Sequence, residues 1–254
     1  MNLRSQYFLF AAVTFCGGGV SAAAAEFDHR SYTVDEIRSF DVAGVKLEMT
    51  YEDAVQALTS RGYKEHSVWK RASAYDEHMI SVINQKKRDG EISEQQRQNQ
   101  TREYAGQRCY KNLRYIMETQ DRTSPDVWVE FRENLPDHPR QSIVVSVRYA
   151  LNYSPAPGEK NMREESIVRM QEQALQKYGT PSHSSGKEKR PQPGITWGTN
   201  HQSPFEMSKG PHIKTHGDTI VLKDNARAQE LDRARAQYRE SLRIKPDLPQ
   251  KFDF

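Results

Sequence analysis

SIVVSVRYAL (residues 142–151) places Ile143, Val145, Val147 and Tyr149 at every second position. A strand projects successive side chains to opposite faces, so this spacing predicts a strand with one covered face. Upstream, Val127, Val129 and Phe131 alternate in the same way, with Trp128 between them. Leu113, Tyr115 and Met117 alternate before that. Pro136 and Pro139 break the chain between the last two runs. Residues 109–151 therefore read as an antiparallel meander.

The period changes on either side of the meander. Before it, Thr50 can cap a helix whose third residue is Asp53. Tyr51, Val55 and Leu58 share one face of that helix, and Gly62 ends it as a left-handed cap. Residues 26–40 read as an extended lead-in, and DVAGVKLEM (41–49) as a short strand or strand-like entry. Residues 63–71 read as a strand with Trp69 as its apolar anchor, and Ser73 with Asp76 caps a second helix. Residues 84–103 hold one apolar side chain, Ile92, so they form either a solvated helical hairpin around Gly90 or a flexible insertion.

After the meander, SPAPGEK (154–160) has linker composition. Ile167, Met170, Ala174, Leu175 and Tyr178 then mark an amphipathic helix stopped by Gly179 and Pro181. SHSSGKEKRPQPG (182–194) is turn chemistry. Ile195 with Trp197, and residues 219–222, suggest strands. Asp224 can cap a long charged helix reaching Ile244, with a thin seam of Leu231, Tyr238 and Leu242. The expected fold class is α+β: two small helix-plus-antiparallel-sheet units with a long polar C-terminal helix. Residues 26–153 and 154–254 are the two units, each with its own small core.

Composition limits function. Of 254 residues 35% are hydrophobic, and mean hydropathy is −0.90. After residue 25 no apolar run approaches the ~20 residues of a membrane span. With 37 Lys+Arg against 34 Asp+Glu, the charge of +3 is too balanced to argue for nucleic acid. The apolar share is concentrated at the N-terminus. There Arg4, an uncharged run YFLFAAVTF (7–15), Gly17–Gly19 and the Ala23-x-Ala25 pair read as a signal peptide cleaved before Glu26. Cys16 raises lipidation, but the bulky Phe15 before it departs from the small residues that processing requires. Cleavage leaves Cys109 alone, which excludes a disulfide scaffold and reads as a buried, inert thiol.

The entry LEMTYEDAVQALTSRGY (47–63) and the stop QALQKYGTPS (173–182) carry a resemblance. They resemble the SmpA/OmlA-type small outer-membrane lipoproteins and the related beta-lactamase-inhibitor-protein-like fold. The match lies at Met49, Thr50, Ala54, Val55 and Leu58, and Glu48 stands where that family usually has glycine. The resemblance implies an α+β layer and a binding role.

Catalytic motifs are absent. There is no G-x-S-x-G, no G-x-G-x-x-G and no P-loop. The acidic pair Glu52–Asp53 opens a helix, where it complements the dipole. GPHIKTHGD (210–218) gathers His212, His216 and Asp218, with His201 upstream. Histidines four apart can share a metal on a helix, but Pro211 and Gly217 make this segment read as a loop. No catalytic, cofactor-binding or metal-ligating residue is assigned. Trp69, Trp128 and Trp197 each fall in an expected strand, as core or as a binding platform. The sequence thus points to an exported, non-enzymatic periplasmic protein that binds another envelope component through a sheet face or edge. The alternative is an exported metal-dependent hydrolase using the His pair at 212–218.

Overall fold

The computed structural model describes residues 29–106, 109–117, 123–135, 138–153, 160–184, 194–199 and 204–244. The expected signal peptide, residues 154–159 of the expected linker, residues 185–193 of the expected turn, His201 and residues 245–254 lie outside them. Helices are α1 (Val34–Ser39), α2 (Tyr51–Thr59), α3 (Ala74–Arg88), α4 (Glu94–Tyr104), α5 (Lys160–Tyr178), α6 (Pro204–Met207) and α7 (Asn225–Ile244). Strands are β1 (Asp41–Val42), β2 (Val45–Lys46), β3 (Lys64–Arg71), β4 (Cys109–Ile116), β5 (Thr123–Asn134) and β6 (His138–Tyr153). They continue with β7 (His183–Ser184), β8 (Ile195–Gly198), β9 (Pro211–His216) and β10 (Thr219–Asp224).

The fold is α+β, and the strands of its two halves merge. One antiparallel sheet runs β3-β4-β5-β6-β10-β9-β8-β7. The first half meanders inward from one edge to β6. Helix α5 carries the chain to the far edge, and the second half meanders back until β10 pairs with β6. The cores divide by sheet face and not by sequence half. The larger one draws Leu113, Val127 and Phe131 from the first half and Met170, Trp197 and Leu222 from the second. Helices α1, α2 and α5 and the β1–β2 hairpin cover this inner face with Ile37, Val42, Leu58 and Tyr178. On the outer face, α7 closes one end by packing Ala228 and Leu231 on Ile143 and Val145.

The caps act where the side chains dictate. The Thr50 hydroxyl accepts from the Asp53 amide at 3.2 Å, and Ser73 does the same for Asp76 at 3.0 Å. Gly62 adopts φ 85, which lets its own amide reach Thr59 at 3.0 Å and the Tyr63 amide reach Leu58 at 3.2 Å, the paired bonds of a Schellman stop. Asp224 caps α7 by accepting from Arg227 at 2.9 Å. The polar insertion is the helical hairpin of the two alternatives. Helix α4 buries nothing and stands on the Ser93–Gln96 capping box. Arg97 ties it to Asn84 of α3 at 3.3 Å.

Four expectations are corrected. The lead-in contains α1, started by a Thr33–Glu36 capping box. Residues 41–46 form a two-stranded hairpin, not one strand. Its turn residues, Ala43 and Gly44, have φ 54 and φ 86, as a two-residue hairpin loop requires. Trp69 is no core anchor, because β3 is an edge strand and leaves the ring 42% exposed. Ile143 and Val145 do not share a face with Val147. Glu130 faces Ser146 while Phe131 faces Val144, so Val145 is the extra residue of a β-bulge. The bulge sends Ile143 and Val145 to α7 and leaves Val144 and Val147 in the larger core. Beyond the end of β10, residues 48–50 take up the freed edge of β6, with Glu48 donating to Val144 at 2.8 Å and Val144 to Met49 at 2.9 Å. Glu48 itself sits at φ 64, a conformation that favours glycine.

Candidate functional site: the outer sheet face

Away from α3 and α7, no other described helix packs closely on the outer face of the sheet. Strand register sets Arg114, Trp128, Arg148, Val221, Lys214 and Thr196 side by side across β4, β5, β6, β10, β9 and β8. Five strand spacings of ~4.8 Å make this row roughly 24 Å long. Their neighbours in sequence, Leu113, Val127, Val147 and Leu222, turn inward to the larger core. Alternation therefore forces these side chains outward.

At one end the row is aromatic. Trp69 lies over Trp128 with ring centroids 5.6 Å apart and planes 13° from parallel. The Arg114 guanidinium sits 4.8 Å from the centre of the Trp128 ring. Asp126, nearly buried, accepts from Arg114 at 3.0 Å and 2.7 Å. That hydrogen-bonded carboxylate raises the pKa of the already permanent Arg114 cation. The result is a rigid stack: a carboxylate locks the guanidinium, the guanidinium braces Trp128, and Trp128 supports the exposed Trp69.

The rest of the row is basic. Arg148 and Lys214 are exposed, and Lys223 lies half-exposed two residues beyond Val221 on the same face. Among the described residues no carboxylate pairs with these three. The acids on this face are committed, Asp126 to Arg114 and Glu130 to Arg132 at 2.8 Å.

The histidines do not converge. Residues 211–216 form β9, not a loop, and four residues of strand separate His212 from His216 by about 13 Å. Pro211 and Gly217 mark the strand's ends. His212 is buried, with Nδ1 2.9 Å from the Gly210 carbonyl, and burial lowers its pKa. Asp218 is engaged by Arg163 at 2.8 Å. Among the described residues no three His, Cys, Asp or Glu side chains gather closely enough to hold a metal. Cys109 is fully buried, and burial pushes its thiol pKa up.

The three tryptophans divide. Trp197 belongs to the core at 0% exposure, while Trp69 and Trp128 make the outer stack. Sequence reasoning named these rings but missed Arg114, Arg148 and Lys214. Their signal was present: each occupies the polar phase of an alternating strand. On the inner side a groove of about 300 Å³ opens between α5 and the sheet, lined by Val42, Leu151, Met170 and Ile220. Lys177 at its rim is held by Asp41 at 2.8 Å. Among the described residues, no helix is long and apolar enough to cross a membrane. No protein-family model matches the chain, and no curated protein or solved structure shows significant similarity to it.

Proposed function

We propose that this is an exported, non-enzymatic protein of the cell envelope that binds another envelope component through the outer face of its sheet. The observation that carries this reading is the exposed Trp69 ring, stacked on Trp128 and braced by Arg114 and Asp126. Tryptophan and arginine dominate binding hot spots because they bury much area with little entropy to lose. A pre-stiffened stack has already met most of that cost.

The face is favoured over an edge. The β3 edge carries two register shifts and charged Lys64, Glu65 and Lys70, devices that discourage strand addition. The β7 edge is only two residues long. Export is supported by the N-terminal Arg4, the apolar run at 7–15 and the Ala23-x-Ala25 pair. A mature N-terminus at Glu26, read by mass spectrometry, tests it.

The binding reading is tested by retention of partners from envelope extracts on immobilised protein, wild type against Trp69→Ala. Trp69 is too exposed for its loss to unfold the chain. The expected result is a retained component whose affinity falls about 30-fold in the variant, the ~2 kcal/mol of a hot-spot aromatic. Equal retention by both proteins, or no retained component, overturns it.

A further inference from the structure

We infer that the occupant of the outer sheet face is an acidic, extended polypeptide segment lying across the strands, from the Trp69–Trp128 stack toward Lys214. The inference rests on the reading of that face as the binding surface and names what it binds.

Charge is the first argument. Arg148, Lys214 and Lys223 have no carboxylate partner among the described residues, although the chain as a whole carries only +3. These three cations lie together on this face. Arg148 and Lys214 flank Val221 in register, so their backbones stand about 10 Å apart. An extended peptide advances ~3.3 Å per residue and presents every second side chain to one side, so carboxylates two or four residues apart, about 7 or 13 Å, bracket that separation within the reach of the long Arg148 and Lys214 side chains.

The aromatic end decides between polymers. The Trp128 ring is engaged by both the Trp69 ring and the Arg114 guanidinium. No pair of open ring faces is left to sandwich a sugar or to stack successive bases, as single-stranded nucleic acid requires. A single exposed Trp69 ring at one end of a row that continues through Arg148, Val221 and Lys214 suits a peptide with one apolar anchor and several carboxylates. Arg114 is already ion-paired with Asp126, so it positions Trp128 and leaves charge recognition to the other three.

The probe is fluorescein-labelled poly-L-glutamate of about ten residues, long enough at ~3.3 Å per residue to cross the row. Binding to the full mature chain is read by fluorescence anisotropy beside oligogalacturonate and oligo-dT of equal charge. The expected result is that poly-glutamate binds tightest and that its affinity falls steeply with added salt. Arg148→Glu with Lys214→Glu should weaken it at least about tenfold, and Arg102→Glu on exposed α4 should not. The inference is overturned if poly-glutamate fails to bind, if the double variant binds it unchanged, or if either other polymer binds as tightly. Failure of this inference and failure of the binding-face reading are separable. An envelope component whose retention needs Trp69 but survives in the Arg148→Glu, Lys214→Glu protein keeps the face and rejects the acidic segment.

Discussion

Trp197→Ala is expected to lower stability by about 3–5 kcal/mol, on the order of 10 °C in Tm. Trp197 is at 0% exposure, so the substitution empties a large volume in the larger core. It also removes a junction. The indole Nε1 donates to Gly179 at 2.9 Å, just past the stop of α5. The ring meets Tyr178 edge-on at 5.4 Å, and Tyr178 donates to the Asp41 carbonyl at 2.7 Å. Tyr32 completes the junction: its single hydroxyl proton is shared between the carbonyls of Thr180 at 2.6 Å and Tyr178 at 2.9 Å. The N-terminal segment, α5 and β8 thus meet at one aromatic cluster. Trp197→Phe keeps most of the volume and loses the donor, so it should cost about 1–3 kcal/mol. Urea unfolding of the two variants checks the order; a Trp197→Phe cost near zero would reject the role given to the Gly179 bond, and equal costs would reject the role given to the buried volume.

Glu133→Ala is expected to cost a similar 3–5 kcal/mol, by a different route. The Glu133 carboxylate, with 1% of its side chain exposed, lies at the end of the sheet beneath α3 and α7. One oxygen accepts from the Ala74 amide at 2.9 Å. The other faces Arg71 at 3.7 Å and is in contact with Arg235 of α7. Arg235 also reaches Glu77 of α3 at 2.9 Å, and Arg239 pairs with the same carboxylate. Burial lowers the pKa of both Arg71 and Arg235, yet a guanidinium stays charged. Removing Glu133 therefore leaves the half-buried Arg71 without its carboxylate and Arg235 with Glu77 as its remaining one. Replacing Arg71, Glu133 and Arg235 together with apolar residues of similar size should restore stability to within about 1–2 kcal/mol of wild type. Calorimetry on the single and triple variants distinguishes a required charge from a required partner.

What was legible in the sequence was local. Thr50, Ser73, Gly62, Gly179 and Asp224 punctuate helices through bonds to residues close by in the chain, so their spacing carries the signal. The α1 cap was equally readable, as Thr33 and Glu36, but is overlooked when residues 26–40 are judged by polarity alone. The β9 strand hid because Pro211 and Gly217 suggest a loop, while the alternation of buried Ile213 and Thr215 with exposed Lys214 and His216 runs between them. The bulge at Val145 leaves no mark in composition; it lies where the partner on the other edge of β6 changes from β10 to residues 48–50. Merger of the two halves into one sheet depends on the β6–β10 pairing across α5, a contact between distant residues. Exposure of Trp69 follows from the edge position of β3, which sequence order alone does not set. The stack was therefore visible only as three tryptophans in strands, and its bracing by Arg114 and Asp126 emerges from the register.

Recognition through the outer sheet face is tested most directly by a photo-crosslinking residue at Val221, between Arg148 and Lys214. It is compared with the same residue at Glu172, on the exposed side of α5. Irradiation in intact envelopes of the native host should give a discrete adduct from position 221 and none from position 172. Adducts from position 172 alone, or none from position 221, would contradict the account.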